Sequence, residues 1–384
     1  METKTLETAL KETFSGTYFF TKYPELLNGK DIGNPSYPFV EGGYDSQTIV
    51  AETMRFFPVA SFVGATFFMP KQAPVEQVNE WLNYGIKGTQ LKLFDNDNPN
   101  DYESQINSLP ASSLHVLHPC SKFSSQVYAV DSNLHLQLNT KSNLPYITPH
   151  TPKKQKISLD SLIQMSPPFV VKKTTGSSGD GVRIVKTKAE LEGLASFLDG
   201  DEFFIETYIP YKTNHSLQFL IGKDKQVYFV GYGEQNTTDK GEFEGVVGIL
   251  NQMPNQKLLE IGLEATKNIA KLGYVGFLGF DILEDAEGNY HIIDPNIRCT
   301  AATPVYLLKD ILQPILGSHI YTGSSKMNAD KPEELGKKIK TSGGLLLSMS
   351  HKNAGIYKFF AMFGGSTSVE ALENWKTFQR SINK

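Results

Sequence analysis

The chain has 384 residues, 40% of them hydrophobic and 20% charged, with a net charge of −4. That is enough for two or three domains with ample core, and the balance is that of a globular chain rather than a disordered one. The mildly acidic total and the lack of a dense Lys/Arg stripe speak against nucleic acid as a partner, no apolar run approaches the roughly 20 residues of a membrane span, and METKTLETALKETF lacks the pattern of a signal peptide.

Residues 1–55, rich in Gly, Pro, Tyr and Asn, read as an irregular or helical N-terminal segment. Residues 59–68 (VASFVGATFF) read as a buried strand. Residues 75–84 have helical spacing, with Val75, Val78, Trp81 and Leu82 on one face. Residues 114–117 read as a short strand closed by His118 and Pro119. Strand, helix and strand in this order predict a small α/β domain with parallel pairing. Residues 142–160 carry three prolines and predict an inter-domain connection. Strands are expected at 167–172 and 182–185, with a loop at 174–181 between them. Residues 187–198 predict a helix opened by a capping box of Thr187 and Glu190. Further strands are expected at 203–208, 216–221 and 226–230, and a helix at 256–272 ending at Gly273. The tail, 311–384, predicts a strand at 344–349 and a helix at 369–382.

The most informative stretch is LGYVGFLGFDILEDAEGNYHIIDPNIR. It predicts a β-hairpin with Asp281 on one strand and Asp294 and Asn296 on the other. Side chains alternate along a strand, so Asp294 and Asn296 share a face, and pairing brings Asp281 beside them. Two carboxylates and an amide oxygen at one end of a sheet suit Mg²⁺ (or Mn²⁺), one ion or two, with phosphates completing its shell.

The second signal is KKTTGSSGDGV. Lys172 ends a strand, and Gly176, Ser177, Ser178 and Gly179 lie in the loop after it. Backbone N–H groups in such a loop can wrap a polyphosphate, and a lysine at its entrance adds charge. An ordinary Gly/Ser hairpin loop is the competing reading. It is not a Walker loop, since GxxxxGK[ST] is absent. The third signal is FFIETYIP. An apolar strand ends at Glu206 and leaves the sheet at Pro210, offering adenine a carboxylate acceptor and backbone contacts at Thr207 to Ile209.

Together, and in this order, these three segments resemble the ATP-grasp superfamily of carboxylate–amine ligases. The likeness covers about residues 135–310. D-alanine–D-alanine ligases have a similar lysine before a GSS loop, and biotin carboxylases a similar acid–x–Asn–x–Arg ending. The resemblance implies an ATP-grasp fold of mixed α/β and α+β class, preceded by a small Rossmann-like α/β domain. The expected divisions are 1–141 for that domain with the N-terminal segment, 142–210 for the first ATP-grasp subdomain, and 211–384 for the second with the metal site and a C-terminal extension. It also implies roles. Lys172 and Lys141 bind ATP phosphates, and Asn214 stands where an acid often meets the ribose. Asp294 stands where the family more often has Glu, which leaves one metal or two open. Arg298 matches an arginine that steadies the acyl phosphate or the acid.

The implied reaction is ATP-dependent amide or peptide bond formation through an acyl phosphate, on small carboxylate and amine substrates such as amino acids or peptides. A kinase, a bicarbonate-phosphorylating carboxylase and a non-catalytic nucleotide-binding regulator are the alternatives. Cys120 and Cys299, far apart and outside any metal-type spacing, suit a reducing cytoplasm. A homodimer is left open. Glu234 and Gln235 read equally as substrate-facing or as a surface turn. His215 reads as a locally bonded strand residue, His291 as facing solvent or a polar neighbour, Lys173 as solvated, and residues 241–245 as a plain loop.

Overall fold

The computed structural model describes residues 4–22, 26–27, 30–31, 45–174, 181–198 and 202–382. Three larger sheets follow one another along the chain. In the first, β1 (Tyr18–Phe20) is an inner strand, and a two-residue hairpin of β2 (Leu26–Leu27) and β3 (Lys30–Asp31) follows it. With β4 (Thr66–Pro70), β5 (Leu91–Phe94) and β6 (Leu114–Val116), β1 forms a parallel sheet of order β5-β4-β1-β6. Both faces are covered, as parallel pairing requires. Phe19 and Phe67 enter one core, while Phe20 and Phe68 enter the opposite one.

Two readings of this region need correction. Residues 59–68 are not one strand: a helix, Phe57–Val63, ends at Gly64 with φ 74° before β4 begins. A continuous apolar run buried all round has no period to tell helix from strand, and Pro58 in the first turn suits the helix. The N-terminal segment, besides its helices, contains β1. The helix Val75–Asn83 forms as expected, but Val78 and Trp81 alone of its four apolar positions are buried; Val75 is 57% and Leu82 41% exposed.

The second sheet is antiparallel, of order β7-β10-β8-β9, from β7 (Lys154–Gln155), β8 (Phe169–Lys173), β9 (Val182–Val185) and β10 (Phe203–Thr207). Strand β7 comes from the stretch read as a connection. The Thr187–Glu190 capping box forms, yet it opens a 3₁₀ turn, Lys188–Leu191, and not a long helix. Gly193, at φ 84°, separates that turn from the helix Leu194–Leu198.

The third sheet has eight antiparallel strands: β11 (Tyr211–Ile221), β12 (Val227–Thr237), β13 (Phe243–Ile249), β14 (Gly276–Asp285), β15 (Tyr290–Asn296), β16 (His319–Asn328), β17 (Gly344–Met349) and β18 (Ile356–Gly365). Their order is β15-β14-β11-β12-β13-β16-β18-β17. Strand β13 begins at Phe243, inside the segment read as a loop. The helix Gln256–Lys271 buries Leu258, Ile261, Ala265 and Ile269 in one core with Leu217 and Phe219 of β11. Strands β14 and β15 make the expected hairpin, with Asp285 Oδ1 accepting from the N–H groups of Glu287 and Asn289 in the turn. Among the described residues no helix is long and apolar enough to cross a membrane.

Candidate active site

The hairpin register sets Asp281 opposite Asp294 and Gly279 opposite Asn296. Asp281 accepts a hydrogen bond from Gln235 Nε2 of β12. Burial first, then repulsion from Asp294, holds the Asp281 carboxyl above the usual carboxylate range, while Gln235, Lys141 and Asn296 pull it back. Asp294 Oδ2 accepts from Lys141 Nζ at 3.0 Å, and its Oδ1 is buried with no partner. Asn296 Oδ1 accepts from Arg298 Nη1 at 2.5 Å. Two carboxylates pressed together, one with an orphaned oxygen, form a site short of positive charge. A hard divalent cation fits that donor set, with Asn296 supplying an amide oxygen. Among the described residues no group of three or more His, Cys, Asp or Glu forms a denser metal cluster.

The other wall of the cleft comes from the second sheet. Lys172 of β8 donates to Glu206 Oε2 at 2.7 Å and to the Ile293 carbonyl at 3.0 Å. Lys154 of β7, directly opposite Glu206 in register, donates to Oε1. Burial alone would raise Glu206, but Lys172 and then Lys154 outweigh it and hold it below the carboxylate range. Burial lowers Lys154 to about 8 against the pull of Glu206. Two ammonium groups on one carboxylate leave a unit of buried positive charge, which suits a polyphosphate. Glu206 still has lone pairs for an adenine amino group, since a carboxylate can accept about four bonds. Thr207 and Ile209 line the cleft at and beyond the end of β10. Gly176, Ser177, Ser178 and Gly179 lie outside the described residues.

Asn214 of β11 donates to Gln235 Oε1 at 3.3 Å, and its own Oδ1 is buried with no partner. It is thus tied through Gln235 to Asp281. Gln235 belongs to the cleft, which resolves the two readings of residues 234–235 for that side chain. Lys173 is not solvated: it is buried, its ammonium 4.7 Å from the centre of the Phe197 ring. His215 bonds Glu284 at 3.0 Å, and His291 bonds Asp285 at 3.0 Å, both local contacts.

Beyond the triad the cleft continues past Arg298, whose Nε is buried with no partner, to Thr300, Ala301 and Ala302. Arg55, from the N-terminal part of the chain, also lines the cleft. Sequence reasoning missed Arg55 and Lys154. Lys154 sits in the basic run PKKQK, but nothing in the sequence says that this run pairs with β10. The space within the cleft, its open mouth included, is about 1360 Å³.

Residues 151–296 match the family described as L-aspartate–L-methionine ligase, ATP grasp. The chain is 26% identical over 161 residues to a chloroplastic biotin carboxylase of Populus trichocarpa, covering 36% of this chain and 28% of the relative. It therefore spans little more than a quarter of the length of the curated relatives it matches. Its fold is similar to that of an N5-carboxyaminoimidazole synthetase from Staphylococcus aureus complexed with ADP (TM-score 0.60, 11% identity, 96% of this chain and 98% of that one). It is also similar to an L-amino acid ligase from Bacillus licheniformis (TM-score 0.54, 14% identity, 86% and 94%). At these identities the structural likeness carries the fold.

Proposed function

The chain carries an ATP-grasp module of the carboxylate–amine ligase superfamily, and from that premise we propose that it uses ATP to join one amino acid's carboxylate to another's amine. ADP and phosphate are the other products. The observation that carries this reading is one cleft in which Asp281, Asp294 and Asn296 face Lys141 and Lys172. The matched family description makes L-aspartate and L-methionine the first pair to test. Residues 1–141, 142–210 and 211–384 are the proposed divisions, each contributing one of the three larger sheets.

ATP would lie with its adenine at Glu206, Thr207 and Ile209, its ribose toward Asn214 and its phosphates toward Lys172 and Lys141. Mg²⁺ held by Asp281, Asp294 and Asn296 would supply positive charge to the transferring phosphoryl group. An oxygen of the acid substrate attacks the γ-phosphorus and ADP leaves, forming an acyl phosphate. The amine then attacks the acyl carbon and inorganic phosphate leaves. Arg298, bonded to Asn296 on one side and open to the cleft on the other, stabilises charge on the acyl phosphate. An acyl phosphate hydrolyses on exposure to water, so this chemistry requires water to be kept from the intermediate.

Phosphate release from ATP that needs both an acid and an amine is the expected result. A second reading, phosphorylation of bicarbonate, is favoured by the likeness to biotin carboxylase and to the carboxyaminoimidazole synthetase. Release supported by bicarbonate without an amino-acid pair would select it and reject the ligase. Lys172→Ala and Asp294→Asn are each expected to lower turnover at least about 10²-fold, the scale of losing one preorganised charge contact. Undiminished turnover in either folded variant removes that residue from the site.

A further inference from the structure

We propose that the Thr300 hydroxyl is a fixed hydrogen-bond donor to the acid substrate's reacting carboxyl group, with Gln218 and Thr303 setting the direction of its proton. This rests on the ligase reading above and deepens it.

Register places Gln218 of β11, Gly279 of β14 and Asn296 of β15 in one row across the third sheet, beside the row of Ser216, Asp281 and Asp294. Residues two apart on a strand share a face, so Gln218 stands on the face that carries the metal triad. Gly279 puts no side chain between Gln218 and Thr300. A Cβ there would stand 3.3 Å from Gln218 Cγ and 3.6 Å from Thr300 Cγ2. Over this gap Gln218 Nε2 donates to Thr300 Oγ1.

The surrounding bonds leave one arrangement of hydrogens. Gln218 and Thr303 are both buried. Thr303 Oγ1 accepts from the Thr300 N–H at 2.8 Å and donates to Gln218 Oε1 at 2.7 Å. That network sets the amide with its oxygen toward Thr303 and its NH₂ toward Thr300. Thr300 Oγ1 accepts a second bond from the Ala302 N–H at 3.3 Å. A hydroxyl has two lone pairs and one proton, so the only capacity Thr300 has left is to donate. Of the three side chains, Thr300 alone lines the cleft. Among the described residues its proton meets no acceptor.

A group that can only donate selects its partner. It repels the N–H groups of an incoming amine and suits an anionic oxygen. Thr300 follows Arg298 on the segment that leaves the triad, and its neighbours in the wall, Ala301 and Ala302, bring no side-chain donor. Arg298 and Thr300 thus meet the acid's carboxyl group from one stretch of chain. When the amine adds to the acyl carbon, the C=O π pair moves onto the oxygen, and it returns as phosphate leaves. Thr300 meets that charge with a bond whose direction is set beforehand, and it keeps its proton throughout.

The test compares wild-type enzyme with Thr300→Val, Thr300→Ser and Gln218→Leu, each checked for folding by urea unfolding. Phosphate release is measured with ATP, L-aspartate and L-methionine. Thr300→Val, which loses the donor, should lower kcat about 10²-fold, the scale of one missing oxyanion donor. Thr300→Ser should stay within about threefold of wild type. Gln218→Leu keeps the donor but loses its alignment, and should cost less than about tenfold. The KM for ATP should stay within about twofold in all three. Turnover in folded Thr300→Val equal to wild type overturns the inference and leaves the ligase standing. So does an equal loss in Thr300→Val and Gln218→Leu, which would make the network a tether for the segment and nothing more. So does a KM for ATP that rises as far as kcat falls. Wild-type enzyme that releases no phosphate with this pair rejects the ligase reading as it stands, and the inference falls with it.

Discussion

Lys154 and Lys172 share the carboxylate of Glu206, and the three charges sum to plus one in a buried place. With Lys154 lowered to about 8, its folded ammonium is lost well before the unfolded chain gives up its proton at the ordinary lysine value of 10.5. Between those values the unfolded state binds more protons, so this group makes stability rise with pH. Nucleotide affinity runs the other way, because a polyphosphate wants the charge. ADP binding by calorimetry should weaken by up to about tenfold from pH 7 to pH 9.5, one charge-assisted interaction lost. Lys154→Met should bind weakly at both pH values, with a flatter profile. A variant profile parallel to wild type would remove Lys154 from the phosphate field. The sequence marked Lys172 because a Gly/Ser loop follows it. Lys154 carried no such mark, since its partner is 52 residues away and only the β7–β10 pairing brings them together.

At the scale of elements, the third sheet holds Gln235 in place through close backbone approach. Gly233, two residues before Gln235 on β12, lies opposite Gly248 of β13. A Cβ built on Gly233 would stand 2.0 Å from the Val247 carbonyl oxygen and 2.9 Å from the Tyr306 hydroxyl. The first of these is backbone and cannot rotate away, so β12 and β13 must part. Gly233→Ala should cost about 1–3 kcal/mol by urea unfolding, the range of overpacking. It should also lower kcat/KM at least about tenfold as Gln235 shifts from Asp281. An unchanged midpoint with unchanged turnover would mean that the strands are not so tightly opposed. The β14–β15 hairpin was legible because its turn residues and alternating acids are local. Strands β13, β16 and β18 were not. In β16, Ser324, Ser325 and Lys326 have little strand preference of their own and are fixed by pairing with Phe360, Phe359 and Lys358 of β18.

Three imidazoles couple the N-terminal sheet to the rest of the molecule. His115 lies on β6, its ring 4.8 Å from that of Phe14 and 5.6 Å from that of Phe19. His118 follows β6, and His135, on the helix Ser132–Asn139, bonds the Ile297 carbonyl at 2.6 Å just past the triad. Burial lowers His115 to about 3, with Lys223 and His135 adding repulsion. It lowers His135 to about 4, against the bond to Ile297 and with Arg298 adding repulsion. It also takes His118 well below its ordinary value, with Arg298 and His135 contributing. All three are neutral in the folded chain where the unfolded chain is protonated, below about 6.5. Stability therefore falls as the pH drops through 6.5 toward 4, each imidazole contributing a slope of up to about 1.4 kcal/mol per pH unit. His115→Leu keeps an apolar side chain against Phe14 and Phe19 and removes one such slope. Carboxylates titrating in that window are common to both proteins and cancel in the difference. Urea unfolding of wild type and variant from pH 7.5 to pH 4.5 should diverge below 6.5, the variant losing less. Curves that stay parallel would mean that His115 is already protonated or is reached by water, and that the joint between the N-terminal sheet and the ATP-grasp module is looser than its packing indicates.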